Sequence, residues 1–194
     1  MNIKIVLNMF LLPNERRNIE LLTDELLVSN DLGEVTGGST FQKKNGEVYK
    51  CEIYIRLKDE SSFDTFLELI KNVSFARGSR VESTNKRVEI GDFEGLSLYF
   101  NAGDLSEEVY NNFSYDDVIV NLCEILGEDG LFLGTNIIDK YFVLYFYGKN
   151  FEVIKEKITP FLKENPLCEG FRIKRVCWRR YGSSFLIIVK TNKK

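Results

Sequence analysis

No histidine occurs anywhere in the 194 residues, and that absence removes more chemistry than any motif present supplies. Ser-His-Asp and Cys-His nucleophilic catalysis need an imidazole to carry the nucleophile's proton, and the usual proton shuttle at neutral pH goes with it. Carboxylate or lysine catalysis remains open. The four cysteines, Cys51, Cys123, Cys168 and Cys177, include no C-x-x-C pair. A zinc site would have to gather four distant thiolates or borrow carboxylates, so no metal and no cofactor are expected. Disulfides are not expected in a chain read as cytoplasmic with a core of this size. Cys51 and Cys123 lie in apolar periodic segments and read as small buried hydrophobes.

Long apolar runs are also missing. None approaches the roughly 18–20 residues that cross a bilayer. Met1-Asn2-Ile3-Lys4-Ile5-Val6-Leu7 briefly looks like a signal peptide, but Asn8 and Pro13 break it and no small-residue cleavage site follows. It reads as a first β-strand. Gly33 to Gly38 lacks the Gly-Lys-Ser/Thr ending of a phosphate loop, and it leads from a helix into a strand, the reverse of that motif's setting.

What is present suits a folded α/β chain. Apolar residues make up 44% and aromatic residues 13%, enough for one sizeable core or two small ones. The net charge of −3 argues against a protein whose main task is neutralising phosphates. Residues Ile3 to Leu12 read as a strand, and Glu15–Ser29 as a helix capped by Asn14 with Ile19, Leu22 and Leu26 on its apolar face, widened by Leu21 and Leu27. Gly33–Gln42 and Val48–Leu57 flank Asn45-Gly46, a strong hairpin signal because Asn-Gly accepts positive φ. Ser61 or Ser62 can cap a helix carrying Phe63, Phe66, Leu67, Ile70 and Val73, and Ser79–Ile90 supplies a fourth strand or a bent ribbon.

The order then recurs. Gly95–Asn101 is a strand, a polar bend or short helix opens at Leu105, and Tyr115–Leu126 is a helix with Val118, Ile119, Leu122, Ile125 and Leu126 on its face. Leu131–Ile137 and Tyr141–Tyr147 form a hairpin, Phe151–Leu162 a helix, Arg172–Trp178 a strand and Ser184–Lys190 an additional one. Local sequence echoes the order: Ile53-Tyr54-Ile55-Arg56-Leu57 leads to Phe63 and Gly78-Ser79-Arg80-Val81, as Leu144-Tyr145-Phe146-Tyr147-Gly148 leads to Phe151 and Gly170-Phe171-Arg172-Ile173. The expected fold is therefore α+β, two tandem ferredoxin-like β-α-β-β-α-β repeats with mainly antiparallel sheets. Repeat 1 spans 1–92, and repeat 2 spans 93–194 with an extra C-terminal strand.

Such a repeat packs helices on one sheet face and leaves the other to be covered. Tyr54, Tyr99, Tyr145 and Tyr147 then either line a groove that binds a partner or finish a core. The densest acidic group is Asp104, Glu107, Glu108, Asp116 and Asp117. Carboxylates in that density suit a divalent cation, acid/base work or a basic protein partner. They equally suit helix starts, where Asp and Glu meet unpaired N–H groups and the positive end of the dipole. Their spacing matches no EF-hand loop. The stretch Arg172 to Tyr181 mixes cations with aromatics, as RNA-binding sheets do, yet it lacks the RNP aromatic pattern. It also reads as an edge strand whose charges block edge pairing.

Between about Glu94 and Val176 four segments carry a family likeness: Glu94-Gly95-Leu96-Ser97-Leu98-Tyr99-Phe100, Asp104-Leu105-Ser106-Glu107-Glu108-Val109-Tyr110, Leu144-Tyr145-Phe146-Tyr147-Gly148, and Asn165-Pro166-Leu167-Cys168-Glu169-Gly170-Phe171-Arg172-Ile173. With these the chain resembles an uncharacterised bacterial family similar to small acidic immunity-like proteins of toxin systems. The tail after Trp178 departs from that pattern. The resemblance implies a non-enzymatic cytoplasmic protein that neutralises a cognate toxin by direct binding. Asp104, Glu107, Glu108, Asp116, Asp117, Tyr145 and Tyr147 are the residues expected to meet it. The competing reading is a small-ligand or regulatory domain with a groove beside Tyr145, Tyr147 and Arg172. RNA binding ranks below both.

Overall fold

The computed structural model describes residues 1–71, 73–176 and 186–187, the last two as backbone only. Cys177, Trp178 and the basic residues after them lie outside the described residues. The chain divides into two compact units, Met1–Asp92 and Phe93–Lys194.

The first unit runs β1 (Asn2–Leu7), α1 (Pro13–Ser29), β2 (Gly33–Gln42), β3 (Val48–Leu57), α2 (Ser61–Ile70), β4 (Arg80–Glu82) and β5 (Arg87–Glu89). The sheet order is β2-β3-β1-β4-β5, with antiparallel neighbours throughout. Register explains the core. Ile3 lies opposite Ile55, Ile5 opposite Ile53 and Leu7 opposite Cys51. Side chains alternate faces along a strand, so these six share one face, and all are buried. Phe63, Phe66 and Ile70 are the buried residues of α2 that recur at helical spacing. Each large side chain so buried contributes about 1.5–3 kcal/mol.

The start of α2 differs from expectation. The cap is Asp59: its Oδ1 accepts from the Ser62 backbone N–H at 2.8 Å, from Ser61 Oγ at 2.7 Å and from Ser62 Oγ at 2.8 Å. The serines serve as donors to that cap. Bonds to the charged form, led by Ser61, bring the Asp59 carboxyl down from 3.8 to about 2. A lowered pKa means that stability is fully present above the unfolded value and is lost as the pH falls through the folded one. We therefore expect the Asp59 carboxyl to titrate near pH 2 by NMR, and its contribution to fade between the two values. A midpoint at the ordinary 3.8 would remove the cap.

Helix α1 also departs from expectation, in phase. It starts at Pro13 with no side-chain cap, as proline at the first helical position permits. Its buried residues are Thr23 and Leu27, while Leu21 and Leu22 are exposed. The cause lies in β2. A bulge between Val35 and Gly37 interrupts the pairing with β3, and Asp24 Oδ1 accepts the Val35 N–H at 2.7 Å. Gly38 lets the Glu20 carboxylate approach so closely that a Cβ there would lie 2.1 Å from Oε1. These polar anchors turn Asp24 and Glu20 toward the sheet and carry Leu22 away from it.

The second unit runs β6 (Glu94–Asn101), α3 (Glu107–Asn112), α4 (Tyr115–Leu126), β7 (Leu131–Ile138), β8 (Tyr141–Gly148), α5 (Phe151–Glu164), β9 (Arg172–Val176) and β10 (Leu186–Ile187). Its sheet order is β10-β9-β6-β8-β7, again antiparallel. In both units the first strand lies between the third and fourth of the β-α-β-β-α-β order. The architecture is α+β and consistent with two ferredoxin-like units. Leu96, Leu98 and Phe100 of β6, with Leu144 and Phe146 of β8, form one buried cluster with Val118, Leu122 and Leu126 of α4 and Ile154, Ile158 and Leu162 of α5. Ser114 caps α4 through Asp116 N–H, and Asn150 caps α5 through Glu152 and Val153 N–H. No described helix is long and apolar enough to cross a membrane.

Candidate functional site

The acidic residues nominated from sequence gather at two successive helix starts. Glu107 and Glu108 occupy the first turn of α3, and Asp116 and Asp117 the first turn of α4. All four are exposed, and among the described residues none takes part in an ion pair. Asp104 stands apart from them. It accepts from Asn101 Nδ2 at 2.8 Å and from Lys140 Nζ at 3.0 Å. Those bonds, Asn101 first and Lys140 second, with the Lys140 charge behind them, hold its carboxyl below the usual range. Lys140 neutralises Asp104, so the free negative charge belongs to the other four.

Two apolar residues accompany that charge. Phe113, just before α4, is 40% exposed and Val120 is 56% exposed. Asp116, Val120 and exposed Glu124 follow at i, i+4 spacing, and Asp117 lies three residues before Val120, so all share one side of α4. Neither residue is among those expected at a partner surface. The signal was available, because Val120 falls outside the apolar face made by Val118, Leu122 and Leu126. An acidic surface with apolar contacts can dock a basic protein surface. Among the described residues no three His, Cys, Asp or Glu side chains come together as a metal site.

Tyr145 and Tyr147, expected at a partner surface, are corrected by their burial. They are 2% and 1% exposed. Alternation along β8 sends Leu144 and Phe146 into the helix-packed core and the two tyrosines to the opposite face. There Gly95 lies across from Tyr147, and its missing Cβ leaves room for that ring: a Cβ would sit 2.6 Å from Cε1. Tyr99 is buried as well. These side chains finish a packed region and offer no exposed contact.

The basic strand is likewise reassigned. β9 lies between β6 and β10, so it is not an edge. Its cations have partners in their own unit: Arg172 stacks 4.8 Å from the Tyr141 ring centre, and Lys174 Nζ is 4.1 Å from that of Tyr99. Arg175 pairs with Glu152 at 2.9 Å and Glu94 at 3.7 Å.

A different charge arrangement appears in the first unit, on the sheet face away from the core. Glu52 accepts from Lys4 and Lys50, each at 3.0 Å, and from Tyr54 Oη at 3.0 Å. Lys4 also lies 3.4 Å from Glu82, which pairs with Arg80 at 2.5 Å. Burial alone would push the Glu52 carboxyl up. The bonds from Lys50, Lys4 and Tyr54 outweigh it and hold the group below its ordinary value. The acids and bases on this face satisfy one another, which leaves little net field for a charged ligand.

The three described thiols are poor nucleophiles. Cys51 and Cys168 are buried, and Cys123 is half-buried. Burial pushes the Cys168 thiol up to about 12 and raises Cys51 and Cys123 as well.

No protein-family model matches the sequence, and no curated protein matches it. Among solved structures, a "Putative monooxygenase" from Fusobacterium nucleatum subsp. nucleatum aligns with 95% of this chain and 96% of that one, at 12% identity and a TM-score of 0.28. The first two RRM domains of yeast poly(U) binding protein align over 89% of this chain and 98% of that one, at 12% identity and a TM-score of 0.25. Similarity this distant transfers no activity to the chain.

Proposed function

We propose that this chain is a non-enzymatic binding protein built from two tandem ferredoxin-like repeats, and that it serves as a bacterial, cytoplasmic immunity protein. In this reading it neutralises a cognate toxin by direct binding. The observation that supports it is the set of exposed carboxylates Glu107, Glu108, Asp116 and Asp117 at two successive helix starts, which carry no internal counter-charge among the described residues, with exposed Val120 on the Asp116–Asp117 side of α4. Charge of one sign around an apolar contact speeds encounter with an oppositely charged partner and selects against wrong ones. A basic toxin surface is the matching chemistry. Residues this exposed also tolerate change without loss of fold.

The test is co-expression with the toxin encoded beside this gene, followed by titration of the purified pair. Growth rescue and a complex whose association slows as salt is raised are expected. Changing Glu107 and Glu108 to Gln, with Asp116 and Asp117 to Asn, should weaken the complex by roughly tenfold or more, chiefly through slower association. Absence of both rescue and complex ends the proposal. A complex indifferent to these four changes moves the interface elsewhere.

A further inference from the structure

Helix α1 meets its sheet with a mixture of polar side chains and apolar Leu27, and it turns apolar side chains to water. On the inner side Arg16 pairs with Glu20 at 3.1 Å, each side chain only 15% exposed, and Thr23 is buried with its hydroxyl donating to Ile19 O at 2.7 Å. On the outer side Leu21, Leu22 and Val28 are 55%, 66% and 62% exposed. Turning a largely covered ion pair inward while hydrating two leucines runs against what a helix needs when the sheet is its only neighbour. Leu21 and Leu22 are flanked about one turn on either side by Arg17 and Glu25, both exposed and without an ion pair among the described residues.

We propose that this outer face of α1 pairs with the same face of a second copy of the chain. A two-fold contact brings each patch against itself, and an axis running across the helices sets them antiparallel. If the axis passes beside Leu21 and Leu22, these leucines meet their counterparts. Arg17 of each copy then falls opposite Glu25 of the other. The stripe is self-complementary in charge as well as apolar, with positive before the leucines and negative after them. Any partner of uniform charge would leave one of these two side chains facing a like charge. From Arg17 to Val28 the stripe runs about 16 Å, short of a standard interface, so the dimer is a reversible one. This inference rests on α1 alone and does not depend on the toxin reading.

Sedimentation of the full chain from about 1 μM to about 1 mM tests it. The weight-average mass should climb from monomer toward dimer over that range. Arg17→Glu sets two carboxylates against each other at both ends of the contact and should weaken association roughly tenfold. Arg17→Glu combined with Glu25→Arg reverses both charges and should restore it. Leu21→Gln with Leu22→Gln should leave a monomer with an unchanged circular dichroism spectrum. The idea is overturned by a monomer at every concentration, by a dimer that ignores the leucine changes, or by a double charge swap that fails to restore what the single change lost.

Discussion

Phe146→Ala should destabilise the second unit by about 3–5 kcal/mol. Phe146 is fully buried on β8, where it lies opposite Leu96 of β6 and Phe132 of β7. The Phe132 ring centre is 5.4 Å away at an interplanar angle of 48°. Aromatic contact of this kind adds to area burial. The ring also belongs to the cluster that holds α4 and α5 to the sheet. Its removal leaves a cavity that strands hydrogen-bonded on both sides cannot collapse to fill. Whole domains are stable by only about 5–15 kcal/mol, so this one change takes a large part of the margin. Urea denaturation followed by circular dichroism measures it. The matched control is Phe113→Ala: a 40% exposed ring outside the core should cost less than about 1 kcal/mol. Equal losses from the two would contradict the burial that defines this core.

That core was the part of the fold most open to reading in advance. In β8 the alternation of Leu144 and Phe146 with Tyr145 and Tyr147 separates two faces by itself. In α4 and α5 the spacing of Val118, Leu122 and Leu126, and of Ile154 and Ile158, marks the buried stripe. Alternation tells which residues share a face but not what covers that face. For that reason Tyr145 and Tyr147 were expected at a surface and are found buried. The basic β9 was expected at an edge for a similar reason. Its charge pattern suits an edge, but β10 pairs along it through Leu186 and Ile187. No local signal in Arg172–Val176 reports that a later strand returns to its side.

Helix α1 misled for a different reason. Ile19, Leu22 and Leu26 recur at helical spacing, and apolar periodicity ordinarily sets which side faces the sheet. Here the phase answers to a backbone need. Asp24 takes up the Val35 N–H of the bulged edge strand β2, and no propensity scale contains a contact with the next element. The acidic group was legible as residues and ambiguous as chemistry. Glu107, Glu108, Asp116 and Asp117 do start helices, as the dipole argument predicts. Only their exposure and want of counter-ions among the described residues add the sense of a docking surface. On the opposite sheet face of the first unit, Glu52 reads in sequence as an ordinary strand glutamate. Its bonds to Lys4, Lys50 and Tyr54 need the β1–β3 register, with Val6 opposite Glu52 and Lys4 opposite Tyr54, to bring them together.

The same bulged strand carries the second large effect. Gly33→Ala should cost about 2–3 kcal/mol, while Gly37→Ala, four residues along, should cost about 1 kcal/mol. Both glycines have positive φ, +153° and +138°, so an alanine is strained at either. Their surroundings differ. A Cβ on Gly33 would lie 2.2 Å from the Arg56 carbonyl oxygen and 2.9 Å from the Leu57 Cα, both backbone atoms of the paired strand. One on Gly37 would meet nothing within 4 Å. Gly33 lies next to the joint that fixes α1 to the sheet. There Leu32 N–H donates to Leu27 O at 2.9 Å, and Lys58 N–H donates to Leu32 O at 2.9 Å. Relieving the clash means moving β2 off β3 at its first residue, which loosens that joint and the Asp24–Val35 bond beyond it. Urea midpoints for the two variants separate strain from collision, because strain is common to both and collision belongs to Gly33 alone. If Gly37→Ala proves as costly as Gly33→Ala, close approach to the Arg56 carbonyl is not what makes Gly33 necessary.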